Sequence, residues 1–347
     1  MIIGRKKIND NDPYVIAEIG HNHQGNLKLA IKMIAAAAAS GVNAVKLQKR
    51  NNKILYTKKF FNSIYNSENS YGRTYGEHRE KLEFGINEYR ELKAYANYKK
   101  LDFFATPFDF ESVDFLEKLG VPLYKIASAD LNNIPLQAYV KKTGKPIILS
   151  TGASSLKEIK IAIKNLGKVK KGLALLQCTA SYPANIKHLN LNVLKTFKKH
   201  FKNCTIGLSD HHDGIDAGPI AYMLGARIFE KHFTTHRSLK GTDQSFSLEP
   251  HGMERFVRNL KRISIMLGSE NKSLQNCEKK AIFKMAKSIV ARKNIEPNTR
   301  LSKDHLSFKS PGGGLKPYEI KKVLGKLTNK KLFKDDCIKL KDLTKKK

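Results

Sequence analysis

Two short apolar runs, Thr205–Leu208 and Arg227–Phe229, are each followed by side chains able to bind a metal or move a proton. Ser209, Asp210 and His211 follow the first, and Glu230, Lys231 and His232 follow the second. An imidazole and a carboxylate therefore stand together at the end of each predicted strand. A single histidine at a strand end is more often a hydrogen-bonded structural residue than a ligand. Two matched pairs one strand apart point instead to a shared divalent ion. Strands buried on both faces of a parallel sheet read as continuous apolar runs, and ligands gather beyond their carboxyl ends. On that placement His211 and His232 face one ion from adjacent strands.

Other apolar runs end in the same way. Glu18 closes the run in AEIGHNHQG, Lys46 and Gln48 the run in VKLQKR, and Thr106-Pro107 the next. Lys125, Ser128 and Asp130 follow in YKIASAD, Ser150 and Thr151 in ILSTG, and Thr179 and Tyr182 in QCTASYP. An unpaired ammonium is costly inside an apolar strand, so Lys46 and Lys125 imply a bound anion such as phosphate, with Ser128, Ser150 and Thr151 as further donors. Salt bridges to Glu18 or Asp130 are the alternative explanation of both lysines.

The elements that must position these groups alternate regularly. Apolar runs fall at Tyr14–Ile19, Ala44–Leu47, Asp102–Ala105, Pro122–Ile126, Pro146–Leu149, Leu173–Leu176, Thr205–Leu208 and Arg227–Phe229, with helical patterns between them. Eight strand–helix units in this length of chain predict an α/β fold, a (β/α)8 TIM barrel, and no GxGxxG follows the first strand to favour an open dinucleotide-binding sheet. A polar and aromatic insertion at 51–84 interrupts the rhythm, as a lid over the mouth or a solvated excursion. The expected divisions are a barrel over 1–268, a polar linker over 269–284, and a small, mostly β domain over 285–347.

The composition excludes several classes. With 347 residues, 41% of them hydrophobic, the chain has the makings of a real core. It shows neither a signal-peptide core nor an apolar run of about 18 residues, which predicts a cytoplasmic protein without membrane spans. Cys178, Cys204, Cys277 and Cys337 lack CxxC spacing and read as reduced thiols. The net charge of +33 is mostly lysine spread along the whole chain, with no nucleic-acid-binding signature, so nucleic acid is not the expected partner.

In order, AEIGHNHQG, AVKLQ, FFATPFD, YKIASADLNNIPL, KPIILSTGAS, LLQCTASYP, IGLSDH, EKHFT and GTDQSFSLEP closely resemble the sialic acid synthase family. Lys287–Leu343 resembles its antifreeze-like (SAF) C-terminal domain. The resemblance implies condensation of phosphoenolpyruvate with an open-chain N-acetylated hexosamine, typically N-acetylmannosamine, releasing phosphate and giving a nonulosonic acid. It implies a domain-swapped homodimer in which each tail caps the partner's barrel. Lys46, Lys125, Ser128, Ser150 and Thr151 would hold phosphoenolpyruvate, and Gln48, Asp243 and Tyr182 the sugar. Glu18, Glu230 and Tyr182 would serve catalysis. His211 and His232 would bind the metal, manganese first, with magnesium and cobalt also suited to two imidazoles plus oxygen ligands. One departure is plain: family members often carry an Arg before the Pro-Gly of the tail, where this chain has Ser310. Lys309, Lys316 or backbone donors of the glycine-rich loop would have to take its place. The alternatives are a pseudaminic or legionaminic acid synthase acting on a diacetamido-dideoxyhexose, an aldolase or 3-deoxy sugar acid synthase on the same barrel, and a non-catalytic carbohydrate-binding barrel.

Overall fold

A computed structural model describes residues 1–4, 6–8 and 12–344. The chain divides into two compact units, Met1–Gly268 and Ser269–Lys347. In the first, eight parallel strands form one sheet: β1 Tyr14–Gly20, β2 Ala44–Lys49, β3 Asp102–Pro107, β4 Tyr124–Ile126, β5 Ile147–Ser150, β6 Leu173–Cys178, β7 Thr205–Asp210 and β8 Ile228–His232. Their order is β3-β2-β1-β8-β7-β6-β5-β4, and β3 and β4 pack side by side, so the sheet curls into a nearly closed (β/α)8 barrel. All eight predicted strands are present. Several run one to three residues further than their apolar stretch, carrying the polar strand ends into the ladder. Continuous apolar sequence is what such strands need, because one face fills the barrel and the other meets the helices.

The helical layer follows from amphipathic repeats with defined starts. Asn26 caps Leu27–Ala39, Asp109 caps Phe110–Leu119, and Ser155 with Glu158 forms a capping box on Leu156–Leu166. A short antiparallel pair, Ile2–Ile3 with Lys6–Lys7, precedes the barrel and buries Ile3. The 51–84 insertion forms helices Asn52–Leu55, Lys58–Phe61 and Tyr75–Lys81. Tyr56, Phe60, Tyr65 and His78 cluster around Tyr75 within it. Hydrogen bonds from Tyr71 Oη to Lys240 O (2.7 Å) and from Gly241 N to Asn69 Oδ1 (2.9 Å) tie it to the loop after β8. No helix among the described residues is long and apolar enough to cross a membrane.

The second unit is built on the antiparallel pair β9 Ser288–Ala291 and β10 Leu306–Lys309, around a core that includes Ile289, Ile295, Leu301, Val323, Leu332 and Ile338. Helix Lys279–Met285 falls largely in the stretch predicted as linker, and the compact unit takes in that stretch from Ser269. The glycine loop also departs from expectation. Gly312 N donates to Phe283 O at 2.6 Å and Gly314 N to Ser288 Oγ at 3.0 Å, so two of its amides are engaged within the domain. Lys309 is paired with Asp335.

Gly207 in β7 is fixed by packing, since a Cβ there would overlap the Leu176 side chain and the Ile228 carbonyl oxygen. Gly207→Ala is expected to lower barrel stability by about 3 kcal/mol in urea unfolding, the upper range for overpacking.

Candidate active site

The carboxyl ends of the strands surround a cavity of about 680 Å3. Pleating decides which strand-end residues enter it, because successive side chains point to opposite faces. On β2, Lys46 and Gln48 face the cavity, and Arg50 beyond the strand continues the alternation. On β7 and its extension the residues facing inward are Ser209 and His211, and on β8 they are Glu230 and His232. The matched acid–imidazole pairs of the sequence are therefore not equivalent. Asp210 turns away and accepts from Lys231 Nζ at 2.6 Å, an ion pair with both side chains 1% exposed. Lys231 also donates to the His212 carbonyl.

Strand register brings four charged groups together at the cavity floor. His232 is paired with Glu18 across β8 and β1, and Glu18 with Lys46 across β1 and β2. Lys46 Nζ lies 2.7 Å from Glu18 Oε2 and 3.6 Å from Glu230 Oε2, and it donates to Thr106 Oγ1 at 3.0 Å. Lys125 Nζ lies 3.6 Å from Glu230 Oε1. Gln48 Nε2 donates to Glu18 Oε1 at 2.8 Å, and Ser209 Oγ to Glu230 Oε1 at 2.9 Å. Burial disfavours every one of these charges, and their neighbours separate them. Desolvation raises the Glu18 pKa despite Lys46, whereas Lys125 and Lys46 outweigh desolvation at Glu230 and hold it below the usual carboxylate range. At Lys46 the two carboxylates overcome burial and raise the pKa; at Lys125 burial prevails and lowers it.

The donors predicted for an anion are divided. Ser150 is buried with its hydroxyl unpartnered, and Ser128 Oγ accepts from Gly152 N at 2.9 Å; both line the cavity. Thr151 does not line it, and its hydroxyl donates to Leu176 O at 2.9 Å. Asp243 reaches the cavity from the loop after β8, and Tyr182, half exposed, lies with its ring centroid 4.2 Å from that of His211.

The rings of His211 and His232 are 5.3 Å apart between centroids. His211 Nδ1 is 2.8 Å from Thr179 O; donation there leaves Nε2 with its lone pair available, the usual orientation of a metal-binding imidazole. His232 is driven down to about 3, chiefly by burial, and so is neutral, and its buried Nδ1 lacks a hydrogen-bond partner, with Asp243 Oδ2 3.7 Å away. Among the described residues no group of three or more His, Cys, Asp or Glu side chains is gathered as for a metal ion. An ion held by this pair would have to take its remaining ligands from water or substrate oxygens. Sequence reasoning missed Arg50, Arg79, His21 and Cys178 in the cavity wall. Arg50 was open to the same period-two reading as Lys46 and Gln48.

The fold and this arrangement of lysines, carboxylates and imidazoles define a barrel synthase. Residues 33–272 match the NeuB family and residues 286–344 the SAF domain. The chain is 36% identical over 326 residues to N-acetylneuraminate-9-phosphate synthase of Homo sapiens, covering 94% of this chain and 91% of that protein. It is 35% identical over 328 residues to N,N'-diacetyllegionaminic acid synthase of Campylobacter jejuni, covering 93% and 98%. The crystal structure of N-acetylneuraminic acid synthetase from Leptospira borgpetersenii in complex with citrate superimposes with a TM-score of 0.70 at 35% identity, over 81% of this chain and 94% of that one. The chain belongs to the NeuB family of sialic acid synthases and carries its SAF domain.

The Asp210–Lys231 pair holds β7 against β8 behind the site. Asp210→Asn should cost about 3–5 kcal/mol in urea unfolding by stranding a buried ammonium, whereas Asp210→Leu combined with Lys231→Leu should cost much less.

Proposed function

We propose that this enzyme condenses phosphoenolpyruvate with the aldehyde form of an N-acetylated hexosamine to give a nonulosonic acid and phosphate. The observation that carries this reading is the pair of buried lysines, Lys46 and Lys125, in the same cavity as the unpartnered Ser150 hydroxyl. These groups offer charge-assisted donors to the carboxylate and phosphate of phosphoenolpyruvate, with Ser128 beside them. The methylene carbon of phosphoenolpyruvate forms a bond to the aldehyde carbon, whose oxygen takes a proton. Water then adds at the cationic carbon left behind. Breaking the bond from that carbon to the phosphate-bearing oxygen releases phosphate and leaves a ketone. Glu18 and Glu230, buried within reach of the lysines, face the positive charge that develops, and Glu18, with its raised pKa, is placed to pass the proton. Gln48, Asp243 and Tyr182 shape the acceptor side of the cavity.

His211 and His232 would hold a divalent ion, manganese first, and such an ion supplies Lewis acidity towards an aldehyde oxygen. In this reading the active enzyme is a cytoplasmic homodimer whose tails cap partner barrels, the arrangement the family resemblance implies.

The test is phosphate release from phosphoenolpyruvate across a panel of acceptor sugars, with the product mass recorded. Lys46→Gln or Lys125→Gln should raise the KM for phosphoenolpyruvate by about 10-fold or more, with a smaller effect on the acceptor, as loss of a charge-assisted contact requires. Excess chelator should abolish turnover and manganese restore it, while His211→Ala and His232→Ala should each lose manganese binding in calorimetry. Turnover that persists in chelator, or lysine variants that affect both substrates equally, would contradict these assignments.

A further inference from the structure

His211 and His232 reach the cavity from strand ends that the sheet does not hold alike. His232 lies inside the ladder, paired with Glu18 of β1. On β7 the last residues with strand partners are Ser209, opposite Cys178 and Glu230, and Asp210, opposite Lys231. His211 stands one residue past that limit, so strand pairing alone does not fix its backbone.

Other contacts take over there. The His211 carbonyl accepts from Ala184 N at 3.0 Å, and the ring Nδ1 is 2.8 Å from Thr179 O. The next residue is held from behind the barrel wall by the two side chains that turn away from the cavity. Asp210 Oδ1 accepts from His212 N at 2.9 Å, and Lys231 Nζ donates to the His212 carbonyl. Asp210 Oδ2 in turn accepts from Lys231 Nζ at 2.6 Å. One buried ion pair therefore grips both backbone polar groups of residue 212, and its two members are the residues that immediately precede His211 and His232.

Such a pair is poorly explained by stability alone. Asp210 is 2% and Lys231 1% exposed, and a buried ion pair can often be replaced by apolar side chains with little loss of folding free energy. Geometry supplies a stronger reason, because groups that share a metal ion must be held to within about 0.5 Å. A loose turn after β7 would let His211 drift against His232, which the ladder keeps in place.

We propose that Asp210 and Lys231 are positioning residues, whose ion pair fixes the chain at His212 so that His211 stands opposite His232 at the spacing a shared divalent ion requires. The inference rests on the reading that the two imidazoles bind such an ion. It assigns a task to two charged groups that do not line the cavity.

The test compares the full-length wild type with Asp210→Leu combined with Lys231→Leu. Urea unfolding reads stability, calorimetry reads manganese binding, and NMR of protein labelled at histidine Cε1 reads the imidazoles, with the His211 signal assigned by its loss in His211→Ala. The urea midpoint should fall little, while manganese binding weakens by about 10-fold to 100-fold, the range seen when groups that orient metal-binding imidazoles are removed. The metal-free His211 signal should shift or broaden, and that of His232 should change much less. If the leucine pair does not fold, Asp210→Asn combined with Lys231→Met carries the test: it leaves no buried charge, keeps an acceptor for His212 N and removes the donor to His212 O. That variant should weaken manganese binding by about 10-fold, the lower end of the same range. A folded variant of either kind with unchanged manganese affinity and an unmoved His211 signal would overturn the proposal. A wild type that binds no manganese would instead defeat the metal reading, and the His211 signal would then decide by itself whether the pair positions that ring.

Discussion

Four charged side chains buried together at the mouth of the barrel constrain everything around them. Glu18, Lys46, Lys125 and Glu230 are each between 1% and 6% exposed. Any one of them alone in such a place would cost several kcal/mol. Together their formal charges cancel, and Lys46 lies between the two carboxylates. The four come from β1, β2, β4 and β8, so the cluster exists only when these strands lie in one register. A slip of one residue would turn Glu18 or Lys46 into the helical layer and leave the remaining charges buried without partners. The same constraint explains the Asp210–Lys231 pair, which satisfies the outward-facing charges of two strands whose inward faces are committed to the cavity.

The two lysines of the cluster are held unequally. Lys46 is held firmly, whereas Lys125 is held loosely, with its ammonium 3.3 Å from a carbonyl oxygen and 3.6 Å from Glu230, and burial lowers its pKa. On the proposed reading, an incoming phosphate or carboxylate gives Lys125 a closer partner than Glu230 and frees the carboxylates to face a cationic carbon.

Much of this was legible in the sequence because a parallel barrel writes itself as apolar runs closed by polar residues. Glu18, Lys46, Lys125, Ser150, His211, Glu230 and His232 were all identifiable in that way, and all line the cavity. The misplacements share a cause: proximity along the chain was read as proximity in space. Asp210 sits beside His211 in sequence but on the opposite face of the strand, and Thr151 follows Ser150 yet turns to Leu176 O. Arg79 was out of reach of such reasoning, because the insertion that carries it has no period tying it to the barrel. Helix Lys279–Met285 was hidden by the polar composition of the segment before it.

The claim on which the account depends is that the buried carboxylates face a cationic carbon, from which phosphate departs together with the enol oxygen. Phosphoenolpyruvate labelled with heavy oxygen at the position bridging carbon and phosphorus tests this directly, with the label traced by mass spectrometry after turnover with an acceptor sugar. The account predicts the label in the released phosphate. Label retained in the sugar acid would mean cleavage between oxygen and phosphorus, and would contradict the role given to Glu18 and Glu230.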